Sequence, residues 1–322
     1  MHRPDADRGR GGRPVEEIDR FAAVDDSASL AALWRALGNG TYAHANPRRQ
    51  SIEALWICSM TRPFDTPQEL AGSDIDLVIC GFPGKSACHG GLGWSTVALL
   101  RSGERIALVD AGNFGMRTLI IEQLAQRGLK PAQVTDLLLT HSHYDHSVNW
   151  TLFRDARIVV GADELSWALE EPWGETPVPE LYVRALSDWP TCEKVTDGSE
   201  VFPGMTAHLA PGHTPGCLIF HWRAPTRDII FTGDAAKNRA ELVSGDTDMT
   251  YDAAVSRQSI EMIWERWRAR PGTVVVPGHD LPMILVDGKP HYLGKRKASI
   301  RAWFGDDMKT LTELDLAAAG PG

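Results

Sequence analysis

One stretch, "TDLLLTHSHYDHSVNW" at residues 135–150, limits what this chain can fold into more than any other. The apolar run 137–139 reads as a buried strand, a rigid support of the kind a preorganised site needs. His141, His143, Asp145 and His146 follow it at once. Side chains on an extended segment alternate between faces, so His141, His143 and Asp145 point the same way. A turn there brings His146 round beside them. Three imidazoles and a carboxylate suit zinc or a related transition metal. With 11 His in 322 residues, such a cluster is far denser than chance scatter. It reads as a metal site at the end of a strand.

The remaining pattern supplies a framework. From about residue 75, "DIDLVICGF", "STVALLRSG" and "ERIALVDAG" read as strands between Gly-rich turns. "MRTLIIEQLAQRG" has helical periodicity and stops at Gly128, "ARIVVG" is a strand and "ADELSWALEE" a helix. Beyond a loop at 171–191, strands are expected at "MTAHLA", "CLIFHW", "DIIFTGD" and "GTVVVPG", with a helix over 252–268. Strands feeding helices, twice over, predict an α/β (α+β) chain of two packed sheets with helices outside. The expected divisions are a disordered tail (1–15), an N-terminal extension packing on the core (16–70, with a helix at 25–38), a catalytic domain (71–305) and a C-terminal tail (306–322). One more helix is expected near 295–304.

More donor residues follow downstream strands. "APGHTPG" places His213 in a turn, "FTGDA" places Asp234 at a strand end, and "VVPGHD" places His279 at another. With the first cluster they make seven candidate ligands, enough for two metals. These segments, "THSHYDH", "PGHTPG", "TGDA" and "PGHD", preceded by "LVDAG", resemble the ordered motifs of the metallo-β-lactamase superfamily. The resemblance spans about 75–285. It implies a four-layer αββα sandwich with a dinuclear site at one sheet edge. It also implies that His141, His143 and His213 hold one metal, that Asp145, His146 and His279 hold the other, and that Asp234 bridges them. Asp110 is then the partner that orients a ligating imidazole.

The implied activity is a hydrolase of a small-molecule carboxylic ester, lactone or amide, with two divalent metal ions, Zn first and Mn, Fe or Co as alternatives. Water activated between the metals as hydroxide attacks, and Asp145 and Asp234 take part in the chemistry. Two other readings use the same ligands: a phosphodiesterase or nuclease, and an iron-dependent oxidoreductase of the persulfide-dioxygenase kind. Quorum-quenching lactonases usually place Tyr three residues past the bridging Asp. This chain has Lys237 there, which argues against acyl-homoserine lactones and offers a group to polarise a carbonyl or pair with an acidic substrate. The segment 81–94 is expected to form a mobile lip bearing His89 and Trp94. The 170–190 segment is a second wall, with Trp173 and Trp189. Net charge −9 provides no field for nucleic acid. No membrane span or leader is visible, and five scattered cysteines favour a reducing compartment, so a cytoplasmic protein is expected. The apolar stretch "QSIEALWICSM" (50–60) is expected to cover the site or pack in a homodimer.

Overall fold

Runs of apolar residues without alternation mark strands buried on both faces, and this chain has them in two groups. The structure is a computed structural model that describes Leu70 and residues 75–88 and 90–317. The expected tail 1–15, the N-terminal extension with its helix at 25–38, and His89 lie outside the described residues.

The first sheet is built from β1 (Ile75–Ile79), β4 (Val97–Ser102), β5 (Arg105–Val109), β6 (Asp136–Leu138), β7 (Arg157–Gly161) and β8 (Cys192–Val195), in that spatial order. A small hairpin, β2 (Lys85–Ser86) and β3 (Gly90–Gly91), stands between β1 and β4. Strands β5 to β8 run parallel. Their crossovers carry helices α1 (Arg117–Gln126), α2 (Tyr144–Ser147), α3 (Ala162–Glu170) and α4 (Glu180–Ser187).

The second sheet has the order β15-β14-β13-β12-β11-β10-β9. Its strands are β9 (Glu200–Phe202), β10 (Met205–Leu209), β11 (Leu218–Arg223), β12 (Asp228–Gly233), β13 (Val274–Pro277), β14 (Met283–Val286) and β15 (Lys289–Tyr292). Between β12 and β13, which are parallel, come α5 (Arg239–Ser244) and α6 (Ala253–Ala269). Asp252 caps α6 by accepting from the backbone N–H groups of Ala254 and Val255, the bond a helix start leaves unmade.

The two-faced runs now have a reason. On β4, Ala98 and Leu100 enter the core between the sheets, where they join Leu138, Phe220, Phe231 and Val276. Val97 and Leu99 point the other way, to an outer core with Ile120 and Leu124 of α1. On the second sheet, Ile230 and Val275 pack outward against Ile260, Ile263 and Trp267 of α6. Helix, sheet, sheet, helix is the four-layer sandwich expected.

Three expectations change. The stretch read as a loop contains α4, which shows only Val183 and Leu186 to the interior, too few positions to register as periodicity. Residues 295–304 are not a helix: β16 (Ser299–Ala302) pairs with β17 (Thr312–Asp315). Ile300 and Ala302 alternate with Ser299 and Arg301, a strand period. The segment read as a C-terminal tail therefore carries β17. Among the described residues, no helix is long and apolar enough to cross a membrane.

Candidate metal centre

Parallel strands end on the same side of a sheet, and that geometry collects the donors. β5 ends before Asp110, β6 before His141, β12 before Asp234 and β13 before His279. Backbone bonds then join the two sheets at this edge. Leu218 N donates to Thr140 O at 2.8 Å, and Thr96 N to Gly278 O at 2.7 Å. Gly278 is required by closeness: a β-carbon there would collide with Asp234 Oδ1.

Three overlapping groups form. Donor atoms of His141, His143 and His213 lie within 4.8 Å of one another, as do those of His141, His146 and Asp234, and of Asp145, His146 and His279. Asp234 sits between the sets. Its Oδ1 is 3.2 Å from both His146 Nε2 and His279 Nε2, and its Oδ2 is 3.4 Å from His213 Nε2. Asp145 Oδ2 lies 3.4 Å from His279 Nε2. All seven expected donors are brought together.

The donor atoms face one another as a cation site requires. His213 Nε2 stands 2.9 Å from His143 Nδ1, and His146 Nε2 stands 3.2 Å from His279 Nε2. His141 Nε2 is buried without a hydrogen-bond partner among the described residues. Unpaired buried polar atoms are costly, and a divalent cation satisfies nitrogen and carboxylate donors together. The residues fit such an ion.

Electrostatics divide the cluster. Burial, with the neighbouring imidazoles, holds His141 well below the usual histidine range. Burial likewise pushes His143 down to about 4 and lowers His213 strongly. These three are neutral at pH 7, with lone pairs ready. Burial also opposes charge on His146 and His279, but the carboxylates of Asp234 and Asp145 outweigh it and raise both. Burial opposes ionisation of Asp234, yet the cationic His279 and His146 beside it hold its carboxyl well below the carboxylate range.

Asp110 supports this edge. Its Oδ2 lies 2.8 Å from His146 Nδ1, and its Oδ1 accepts from Thr140 N at 2.8 Å. That contact turns His146 Nε2 toward the cluster, as outer partners of metal-binding imidazoles do.

The cluster opens into a cleft of about 610 Å³. Pro83, Gly84 and Lys85 form one wall; Trp167 and Tyr251 line it also. Lys237 lines the floor, with Nζ 2.9 Å from Glu241 Oε1. Lys85 and Asp248, which both line it, are ion-paired. The lip expected at 81–94 is thus at the cleft, but Trp94 is not among its lining residues. That ring stacks on Phe82 at 4.8 Å and donates from Nε1 to Cys80 O. Trp173 is also outside the cleft, 59% exposed, with the Arg184 guanidinium over its ring. Trp189 packs on Trp150 and donates to Arg154 O.

Residues missed in the sequence include Tyr144, Trp167, Tyr251 and Glu164. Glu164 had a signal, since it shares the buried stripe of α3 with Leu165 and Ala168. Trp167 and Tyr251 had none, because their meeting is tertiary.

The model of the metallo-beta-lactamase superfamily matches residues 90–279. Metallo-beta-lactamase domain-containing protein 1 of Mus musculus is 38% identical over 201 residues, covering 60% of this chain and 66% of that protein. N-acyl homoserine lactonase AttM of Azorhizobium caulinodans is 27% identical over 170 residues, covering 50% of this chain and 63% of the lactonase. The chain thus spans just under two thirds of the length of these relatives. Among solved structures, the hydrolase AbOPH superposes with a TM-score of 0.55 at 18% identity, covering 70% of this chain and 96% of that one. AidC, a dizinc quorum-quenching lactonase, superposes with a TM-score of 0.51 at 14% identity, covering 63% and 79%. With the family's model matched over more than half its residues and the family's sandwich around the match, this chain belongs to the metallo-beta-lactamase superfamily.

Proposed function

We propose that this chain is a metal-dependent hydrolase acting on a carboxylic ester, lactone or amide of a small molecule, with two divalent cations, zinc the first choice. One observation carries the reading: the Asp234 carboxylate lies between two imidazole sets, one oxygen toward His146 and His279 and the other toward His213. His141, His143 and His213 would hold one cation, and Asp145, His146 and His279 the other, with Asp234 shared. Cations held there would supply Lewis acidity, activating water for attack and taking up charge on a substrate oxygen.

The protein's own groups do the rest. Asp110 keeps the His146 Nδ1 proton engaged, so that Nε2 faces the centre. Asp145, 17% exposed on the cleft side, is placed to take the proton of the attacking water and pass it to the leaving group. Lys237 on the cleft floor supplies a cation for a substrate carbonyl or carboxylate, and Trp167 and Tyr251 offer an apolar wall for its organic part. The lactonase relatives support lactones as a class, while Lys237 in place of tyrosine speaks against acyl-homoserine lactones.

The test is a panel of lactones, aryl esters, amides and phosphodiesters on metal-reconstituted protein. Turnover of a lactone or ester, lost on chelation and restored by zinc, is expected. Alanine at His143 or Asp234 should abolish it and lower bound metal; wild-type turnover in either variant would sink the reading.

A further inference from the structure

The two halves of the centre are held by different devices, and an inference that rests on the reading above follows from the difference. His146 has its own carboxylate, Asp110. In the half made by His141, His143 and His213, His213 Nδ1 is buried without a partner among the described residues, and His141 Nδ1 meets the Thr140 hydroxyl at 3.1 Å. The anchor of this half lies one step further out.

Glu164, in the first turn of α3, is 0% exposed. Its Oε1 accepts the Ser142 N–H at 2.8 Å and the Ser142 hydroxyl at 2.6 Å. Its Oε2 accepts the Thr214 hydroxyl at 2.6 Å, and the carboxylate also takes the Gly216 N–H. Ser142 separates His141 from His143, and Thr214 follows His213. One buried carboxylate therefore grips both loops that carry the three imidazoles. Gly216 permits the approach, because a β-carbon there would collide with the backbone of Glu164.

We propose that Glu164 is a positioning residue: it sets the spacing and aim of His141, His143 and His213, and through them the affinity of that half for its cation. Four donors converge on it from Ser142, Thr214 and Gly216, and the two backbone N–H groups among them can only donate, so a carboxylate with two accepting oxygens satisfies all four at once. Glutamine has the same shape but only one accepting oxygen: with its NH₂ in the Oε1 place it faces the Ser142 N–H, and in the Oε2 place it no longer accepts from the Thr214 hydroxyl. Either placement weakens the hold on one of the two loops.

The experiment loads full-length wild type, Glu164→Gln and Thr214→Val with cobalt(II), then measures bound metal, the visible spectrum and chelator competition. Wild type should hold two ions. Glu164→Gln should bind one of them about 10–100-fold more weakly, the loss typical of outer partners of metal ligands, with one spectral component lost and kcat falling more than KM changes. A residue needed only for folding would lower thermal stability and leave both half-sites equally occupied. A folded Glu164→Gln with two ions at wild-type affinity overturns the proposal. Should that variant not fold, Thr214→Val carries the test: it removes one hydroxyl donor, and unchanged affinity there overturns the proposal too. A wild-type chain that holds no ion instead refutes the hydrolase reading, and this inference with it.

Discussion

Asp110 has φ +58°, a conformation that costs a non-glycine residue on the order of 1–3 kcal/mol. Its carboxylate offsets that cost by accepting from Thr140 and His146. Asn at this position keeps the volume but has one accepting oxygen for two demands. Asp110→Asn should weaken metal binding about 10–100-fold, read by chelator competition, with little change in the far-ultraviolet spectrum. Retained wild-type affinity would show that the His146 tautomer needs no carboxylate. The donors were legible one by one because each follows an apolar strand end. Trp94 and Trp173 were misplaced because aromatic content in a loop carries no direction.

Asp136 shows how elements are tied together. At 1% exposure it starts β6 and accepts from Arg157 of β7 and from Arg105 of β5, both ion-paired to it. Burial opposes its charge, but the Arg105, Thr135 and Arg157 hydrogen bonds win and hold its carboxyl below the usual range. The sign follows. The stability it contributes is fully present above the unfolded value of about 3.9 and is lost as pH falls through the lower folded value. Asp136→Asn should cost about 2 kcal/mol at pH 7, less than a fully buried pair, since both guanidiniums reach solvent. Urea midpoints should converge for variant and wild type as pH drops below 3.9 (about the unfolded pKa). A gap constant with pH would refute the ion-pair account. Strands with long apolar runs were legible from those runs themselves, buried on both faces. The short α4 and the β16–β17 hairpin were not, because few residues of each face the interior.

Across the whole molecule, the centre joins the two sheets: His141, His143, Asp145 and His146 follow a strand of the first, while His213, Asp234 and His279 belong to the second. Bound cations therefore add stability that depends on their concentration, about 2.7 kcal/mol at a hundredfold excess over Kd. Chelation should lower the Tm and zinc restore it, an effect that should vanish in Asp234→Ala. By contrast, Phe220→Ala in the inter-sheet core, where Phe220 is 0% exposed, should cost about 3–5 kcal/mol. Calorimetry on the metal-loaded variant should show that loss, while the folded fraction keeps its bound metal.

Local chemistry alone determined which residues could bind a cation and that they sit at strand ends, because donor type and a period of two are properties of neighbouring residues. The sandwich's two buried strand faces were implied in the same way, by apolar runs too continuous for a solvated sheet. What only the tertiary structure decided is which loops meet. Glu164 reaches Ser142 and Thr214, and Trp167 meets Tyr251, across separations that no local pattern encodes. Such contacts depend on how the sheets stack and where the helices close over their edge.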